Sequence, residues 1–168
     1  MASACGFRPM YGKNSALGED SPLSGNLVID PIGSPAPNAN HEGQIFRVAL
    51  EDKINPESLK TAAPEYRLHV TIIKNLIPAI VQSDGTIERY NVQFASTFQL
   101  IRIKDNRTLL SSTLSRTGSY NVAINGNFAT YEAEQDIIER TLQELAEDYV
   151  LRLTDYFAAP EKEDGTKP

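Results

Sequence analysis

Residues Tyr66 to Ile72 read "YRLHVTI", with Tyr66, Leu68, Val70 and Ile72 alternating with Arg67, His69 and Thr71. A period of two places one apolar face on a strand and leaves the other face wet, the signature of a half-buried antiparallel strand. Downstream, "SDGT" at Ser83–Thr86 holds an Asp-Gly pair, which predicts a hairpin through a type I′ turn. The alternation then resumes, with Tyr90, Val92, Phe94, Phe98 and Leu100 on one face and Arg89, Asn91, Gln93, Thr97 and Gln99 on the other. After Leu100 the phase slips to Ile101 and Ile103, which predicts a bulge. "KDNR" at Lys104–Arg107 is a second turn, and "TLLSSTLSRTGSYNV" a third strand. Strands of about 14 to 18 residues, against the usual 5 or 6, make a long twisted meander.

Upstream of the meander the period is different. Ile45, Phe46, Ala49, Leu50 and Ile54 recur at steps of three and four and lay one apolar stripe on a helix over His41–Ile54. Asn40 is placed to cap it, Glu42 suits its first turn, and Pro56 lies just past its end. Before it, "NLVIDPIG" carries a short apolar run, Leu27–Ile29, closed by Pro31 and Gly33, as in a buried strand. Downstream, Ile138, Leu142, Leu145, Tyr149, Leu153 and Tyr156 hold helical spacing through Thr130–Phe157, with Glu132, Glu134 and Asp136 crowding the predicted start.

The order strand, helix, three strands, helix, with one apolar face per element, predicts an α+β two-layer sandwich. About four strands form a mostly antiparallel sheet with both helices packed on one face (β-α-β-β-β-α). Residues 1–25 show neither period and read as a flexible N-terminal tether, residues 26–158 as the folded domain, and residues 159–168 as a disordered tail.

The charge is unevenly spread within a net −6. Met1–Pro64 carries 5 basic and 7 acidic residues, Glu65–Val122 7 and 4, and Ala123–Pro168 4 and 11. An acidic chain without a basic run argues against nucleic acid as a partner, while an anionic ligand on the basic meander stays open. No run approaches the roughly 18 apolar residues of a spanning helix. The two histidines, His41 and His69, sit on different elements with no metal-ligand spacing around them, and no nucleotide-binding or nucleophile-elbow pattern occurs. No catalytic residue, metal or cofactor is therefore expected. An enzyme would need titratable groups converging in a pocket. The wet face of the strands is expected to carry Arg67, Lys74, Arg89, Arg102, Lys104, Arg107 and Arg116, which either keep the open sheet soluble and its edges unpaired or bind anions there.

The one cysteine, Cys5, cannot staple the fold by itself. Ala2-Ser3-Ala4-Cys5 resembles the tail of a bacterial lipobox whose hydrophobic region has been replaced by Met1, a cysteine placed there by chance being the alternative. Acyl chains on Cys5 would anchor the protein, each methylene contributing about 0.8 kcal/mol. "CGFRPMYG", followed by "NLVIDPIG", "GQIFRVALEDKI" and "EAEQDIIERTLQELAEDYVLRL", resembles the LPS-assembly lipoprotein LptE family over Cys5 to Phe157. The resemblance implies an outer-membrane lipoprotein, held in the inner leaflet by acyl chains on Cys5. It would plug the LptD β-barrel, aid the barrel's assembly and help lipopolysaccharide reach the outer leaflet, with no reaction catalysed. Family members place basic residues for lipopolysaccharide at the turn after the second strand and just before the last helix. Here those stretches read Gln82-Ser83-Asp84-Gly85 and Ala129-Thr130-Tyr131-Glu132, so those roles do not transfer. For lipopolysaccharide phosphates the remaining candidates are Arg67, Lys74, Arg89 and Arg116. The rival reading is an auxiliary lipoprotein of an ABC-type lipid or solvent export system.

Overall fold

The computed structural model describes residues 26–33, 40–54, 63–123 and 126–158; Cys5, the expected tether and the expected tail lie outside them. The elements follow the expected order: β1 (Leu27–Ile29), α1 (Asn40–Ile54), β2 (Tyr66–Val81), β3 (Ile87–Arg102), β4 (Arg107–Asn121) and α2 (Asn127–Ala158). They form one four-stranded sheet in the order β1-β2-β3-β4. β1 runs parallel to β2, with Leu27 opposite Tyr66, and the other two pairings are antiparallel. A parallel neighbour cannot be reached by a tight hairpin, and α1 provides the crossover between β1 and β2.

The alternation that defines β2 sets the core. Leu68, Val70 and Ile72 are buried against Val92, Phe94, Phe98 and Leu100 of β3 on the helix-facing side. From above, α1 contributes Phe46, Leu50 and Ile54, and α2 contributes Ile138, Leu142, Leu145, Tyr149 and Leu153. Full burial of side chains of this size stabilises by roughly 1.5–3 kcal/mol each, which is why both stripes read so clearly in the sequence. Phe46 meets Tyr149 edge-on at 5.3 Å between ring centroids, and Phe98 lies 4.6 Å from the same ring. Two glycines let the layers close. A Cβ on Gly118 of β4 would stand 2.3 Å from Thr141 Oγ1 and 2.5 Å from Ile137 Cγ1 of α2, and one on Gly43 of α1 would stand 2.3 Å from the Ile32 carbonyl oxygen.

Three local expectations need correction. The β2–β3 turn is not type I′, because Gly85 has φ +86° while Asp84 keeps a negative φ. Gly85 N–H donates to Gln82 O at 2.9 Å and Gln82 N–H to Thr86 O at 2.8 Å, enclosing a three-residue loop, Ser83–Gly85, that ends on a left-handed glycine. The Asp84 carboxylate accepts the Thr86 N–H at 2.9 Å, which locks Asp84 in its own turn and leaves the left-handed position to glycine alone. The bulge falls at Leu100/Ile101 as expected, but the extra residue is Leu109 on β4, since Leu100 faces Leu110 and Ile101 faces Thr108. Finally, α2 begins at Asn127, a turn earlier than expected, and its first turn holds no acidic residue. Glu132, Glu134 and Asp136 therefore lie beyond the reach of the helix dipole, and Glu134 serves a tertiary contact described below.

Candidate interaction surfaces

The sheet buries one face and opens the other. Odd-numbered residues of β2 and β3 point away from the helices, and the register sets Gln93 beside Thr117, Thr97 beside Thr113 and Gln99 beside Ser111 on that open side. Thr97 and Thr113 share a hydrogen bond between their hydroxyls at 3.1 Å. Between Arg89 and Ile101 the open face of β3 and β4 is therefore polar and uncharged, able to exchange hydrogen bonds with a polar partner without large desolvation of charge.

The four cations proposed from the sequence do not converge. Arg67 and His69 stand on the open face beside Asp30, at 3.7 Å and 3.3 Å. Arg89 is also on that face, its guanidinium donating to the Asn121 side chain at 2.8 Å. Lys74 and Arg116, by contrast, lie on the helix side. Lys74 bridges Glu42 of α1 at 2.7 Å and Glu134 of α2 at 3.8 Å. Arg116, opposite Phe94 in the register, grips Asp148 of α2 with two hydrogen bonds of 2.5 and 2.6 Å. The expectation that all four share the wet face is corrected accordingly. For Lys74 the signal was available, since an even number puts it in phase with Leu68, Val70 and Ile72. For Arg116 it was available too, since it is in phase with Leu110, Leu114 and Tyr120 of its own strand. Arg102, also helix-side, is held by Asp105 at 3.1 and 2.7 Å.

Titration follows these contacts. Burial, the largest single influence on Glu42, raises its carboxyl, but the Lys74 ammonium and a backbone N–H outweigh it and leave the group below the usual carboxylate range. Among the described residues its second oxygen, Oε2, has no hydrogen-bond partner. The Arg102 guanidinium brings exposed Asp105 down to about 2. Burial, helped by neighbouring Glu134, pushes Tyr120 up to about 12, and burial likewise raises Tyr149, whose hydroxyl bonds to Ser96. The shifts of Glu42, Tyr120 and Tyr149 belong to contacts that tie helix to sheet, whereas that of Asp105 belongs to the β3–β4 turn.

A shallow groove of about 610 Å³ runs between α1 and α2, lined among others by His41, Val48, Asp52 and Glu139. Among the described residues no group of three or more His, Cys, Asp or Glu side chains is arranged to hold a metal ion, and no helix is long and apolar enough to cross a membrane. Apolar exposure gathers at one end of the sheet. On β2 beyond Ile72, Ile73, Leu76, Ile77, Ile80 and Val81 are 44–55 % exposed. The same end holds Phe128 and Tyr131 in the first turns of α2, 77 % and 56 % exposed.

The family model for LptE, described as lipopolysaccharide-assembly, matches residues 27–153, from β1 to the last buried leucine of α2. The chain belongs to the LptE family. LptE-family membership makes it a lipopolysaccharide-assembly lipoprotein of the bacterial envelope, and the β-α-β-β-β-α sandwich is the architecture that the sequence predicts. Solved structures share the fold. One, described as a candidate lipoprotein from Caulobacter crescentus, superposes with a TM-score of 0.62 at 18 % identity over 81 % of this chain and 93 % of that one. The rare lipoprotein B of Shewanella oneidensis matches at 0.51 and 11 % identity, over 76 % and 92 % of the two chains. A minor lipoprotein of Acinetobacter baumannii matches at 0.51 and 14 %, over 79 % and 93 %. No curated protein matches the LptE-family chain in sequence.

Proposed function

We propose that this LptE-family lipoprotein is anchored in the outer membrane through acyl chains on Cys5. There it partners the LptD β-barrel, fills the barrel's lumen, aids its assembly and supports delivery of lipopolysaccharide to the outer leaflet without catalysing a reaction. The observation that carries the reading is the family match through the whole sandwich, residues 27–153. The physical character of the domain supports it. A two-layer core with a polar open sheet face rich in Ser, Thr, Asn and Gln, and with several cations held in internal ion pairs, suits a plug seated against the polar interior of a barrel. Direct contact with lipopolysaccharide phosphates would fall to Arg67 and Arg89, the two proposed cations on the open face, because Lys74 and Arg116 hold helices to the sheet. The same family match favours the barrel partner over an auxiliary role in an ABC-type export system.

The test is co-purification from outer membranes of the signal-bearing protein with a C-terminal tag, followed by mass spectrometry of the partner band and the N-terminal peptide. A stoichiometric barrel protein with acylated Cys5 is the expected result. Inner-membrane transporter subunits in its place, or an unmodified Cys5 with no membrane partner, would overturn it.

A further inference from the structure

The two edges of β2 are used very differently. On one side β2 pairs with β3 along its whole length, while β1 covers the other side only from Tyr66 to Leu68, with a single bridge at Thr71 to Gly33. Beyond Ile72, none of the described residues pairs with that outer edge. The direction of the backbone groups follows from parity. Tyr66 N–H donates to Asn26 O, Leu68 O accepts from Asp30 N–H, and Ile72 N–H donates to Gly33 O, so even-numbered residues turn their N–H and C=O outward. The register runs unbroken to Pro78, so Lys74, Leu76 and Pro78 turn outward along the edge that no described residue pairs. Proline has no N–H to present, and edge positions facing outward are where a strand tolerates it. The edge thus offers two donors, Lys74 and Leu76, and three acceptors.

The side chains along this edge are mostly apolar and uncharged: Leu76 on the helix side, and Ile73 and Ile77 flanking Asn75 on the open side, the three apolar ones each 45 % exposed. The single charge nearby, Lys74, is taken up by Glu42 and Glu134. Native edges are ordinarily blunted by charge, and this one is left apolar for a short length and stopped by Pro78 and the register shift that follows it.

We propose that the outer edge of β2, centred on Leu76, is a strand-docking site for an extended, uncharged segment of the barrel partner. The proposal rests on the LptD reading above and names the surface through which that contact is made. A second copy of this chain fits less well. Pro78 would remove a donor from both strands of a self-pair but from only one strand of a mixed pair, and each copy carries a net charge of −6. A closed barrel wall spends its backbone groups within the wall, so the docking segment comes from a loop or domain outside that wall.

The experiment uses the full signal-bearing chain co-expressed with its barrel partner. A photo-crosslinking amino acid is placed at Ile77, and Leu76→Pro and Ile77→Lys are compared with the unaltered chain for the amount of barrel recovered across a dilution series. Leu76→Pro deletes an outward N–H and leaves the β3 ladder intact, and Ile77→Lys changes only a solvent-facing side chain should the proline variant fold poorly. Expected are a crosslink from Ile77 to the barrel protein, a loss of apparent affinity of roughly fivefold for Leu76→Pro, the amount set by one backbone hydrogen bond, and a loss of roughly fivefold for Ile77→Lys, which places a charge where an apolar side chain would be covered. Barrel recovered equally by all three chains with no crosslink overturns the edge proposal and leaves the partner reading standing. A crosslink between two copies of the chain overturns the assigned occupant. No barrel recovered by the unaltered chain overturns both readings together.

Discussion

Ser96 breaks the apolar row of β3, and its hydroxyl supports a quantitative test of how the core is held. Ser96 is 1 % exposed and Tyr149 fully buried. The Ser96 hydroxyl donates to Thr71 O at 3.2 Å and also bonds to the Tyr149 hydroxyl. A serine has one hydroxyl proton, and Thr71 O can only accept, so Tyr149 is the donor of the second bond. The two truncations are then unequal. Tyr149→Phe removes one bond, leaves Ser96 still bonded to Thr71 O, and keeps the ring packed on Phe46 and Phe98; it should cost about 0.5–1.5 kcal/mol. Ser96→Ala strands the Tyr149 O–H among apolar neighbours and should cost about 1–3 kcal/mol, the desolvation penalty of an unsatisfied buried donor. The double variant should cost less than the sum of the singles, because it removes the stranded group. Urea unfolding followed by circular dichroism, with unchanged m-values, measures all three. A Tyr149→Phe loss equal to or larger than that of Ser96→Ala, or strict additivity, would refute this assignment of donor and acceptor.

Gly118→Ala should destabilise by about 1–3 kcal/mol through overpacking against Ile137 and Thr141, less a few tenths returned by the unfolded chain's lower entropy; denaturant midpoints check it, and a neutral result would mean that α2 can lift off β4 freely. Lys74→Ala should cost about 1–3 kcal/mol at pH 7, since it leaves the nearly buried Glu42 without its counter-ion, and less at pH 4, where Glu42 can take up a proton; stability curves at the two pH values compare them. On the alkaline side, Tyr120 is raised to about 12, so the folded state holds its proton more tightly than the unfolded chain. That contribution is complete below pH 10 and is lost as pH rises through 12, and Tyr120→Phe should flatten the decline in this window when melting is followed against pH. On the acid side Asp105 works the other way: its contribution is present above about pH 4 and vanishes as pH falls toward 2, so Asp105→Asn should reduce acid sensitivity in the same assay.

Much of the architecture is written in local periodicity. The period-two run from Tyr66, the stripe Phe46-Leu50-Ile54 and the stripe Ile138 to Leu153 each mark the side chains that water excludes, and burial enforces these patterns residue by residue. Turn details were less legible. An Asp-Gly pair is compatible with more than one hairpin loop, and the choice here came from the Asp84 side chain bonding Thr86.

The surfaces divide along the same line. That Arg67 and Arg89 face outward follows from their phase on the strand, and so, read correctly, does the inward position of Lys74. That Arg116 holds Asp148, that Glu134 reaches Lys74 instead of serving the helix dipole, and that β1 shields only the first residues of β2 follow from no local pattern. By itself the sequence determined which side of each element is apolar, because hydrophobic burial is paid out one residue at a time along the chain. Only the tertiary structure decided which charges meet and how much of the β2 edge β1 covers, because ion pairs and edge pairing depend on the register and relative placement of segments tens of residues apart.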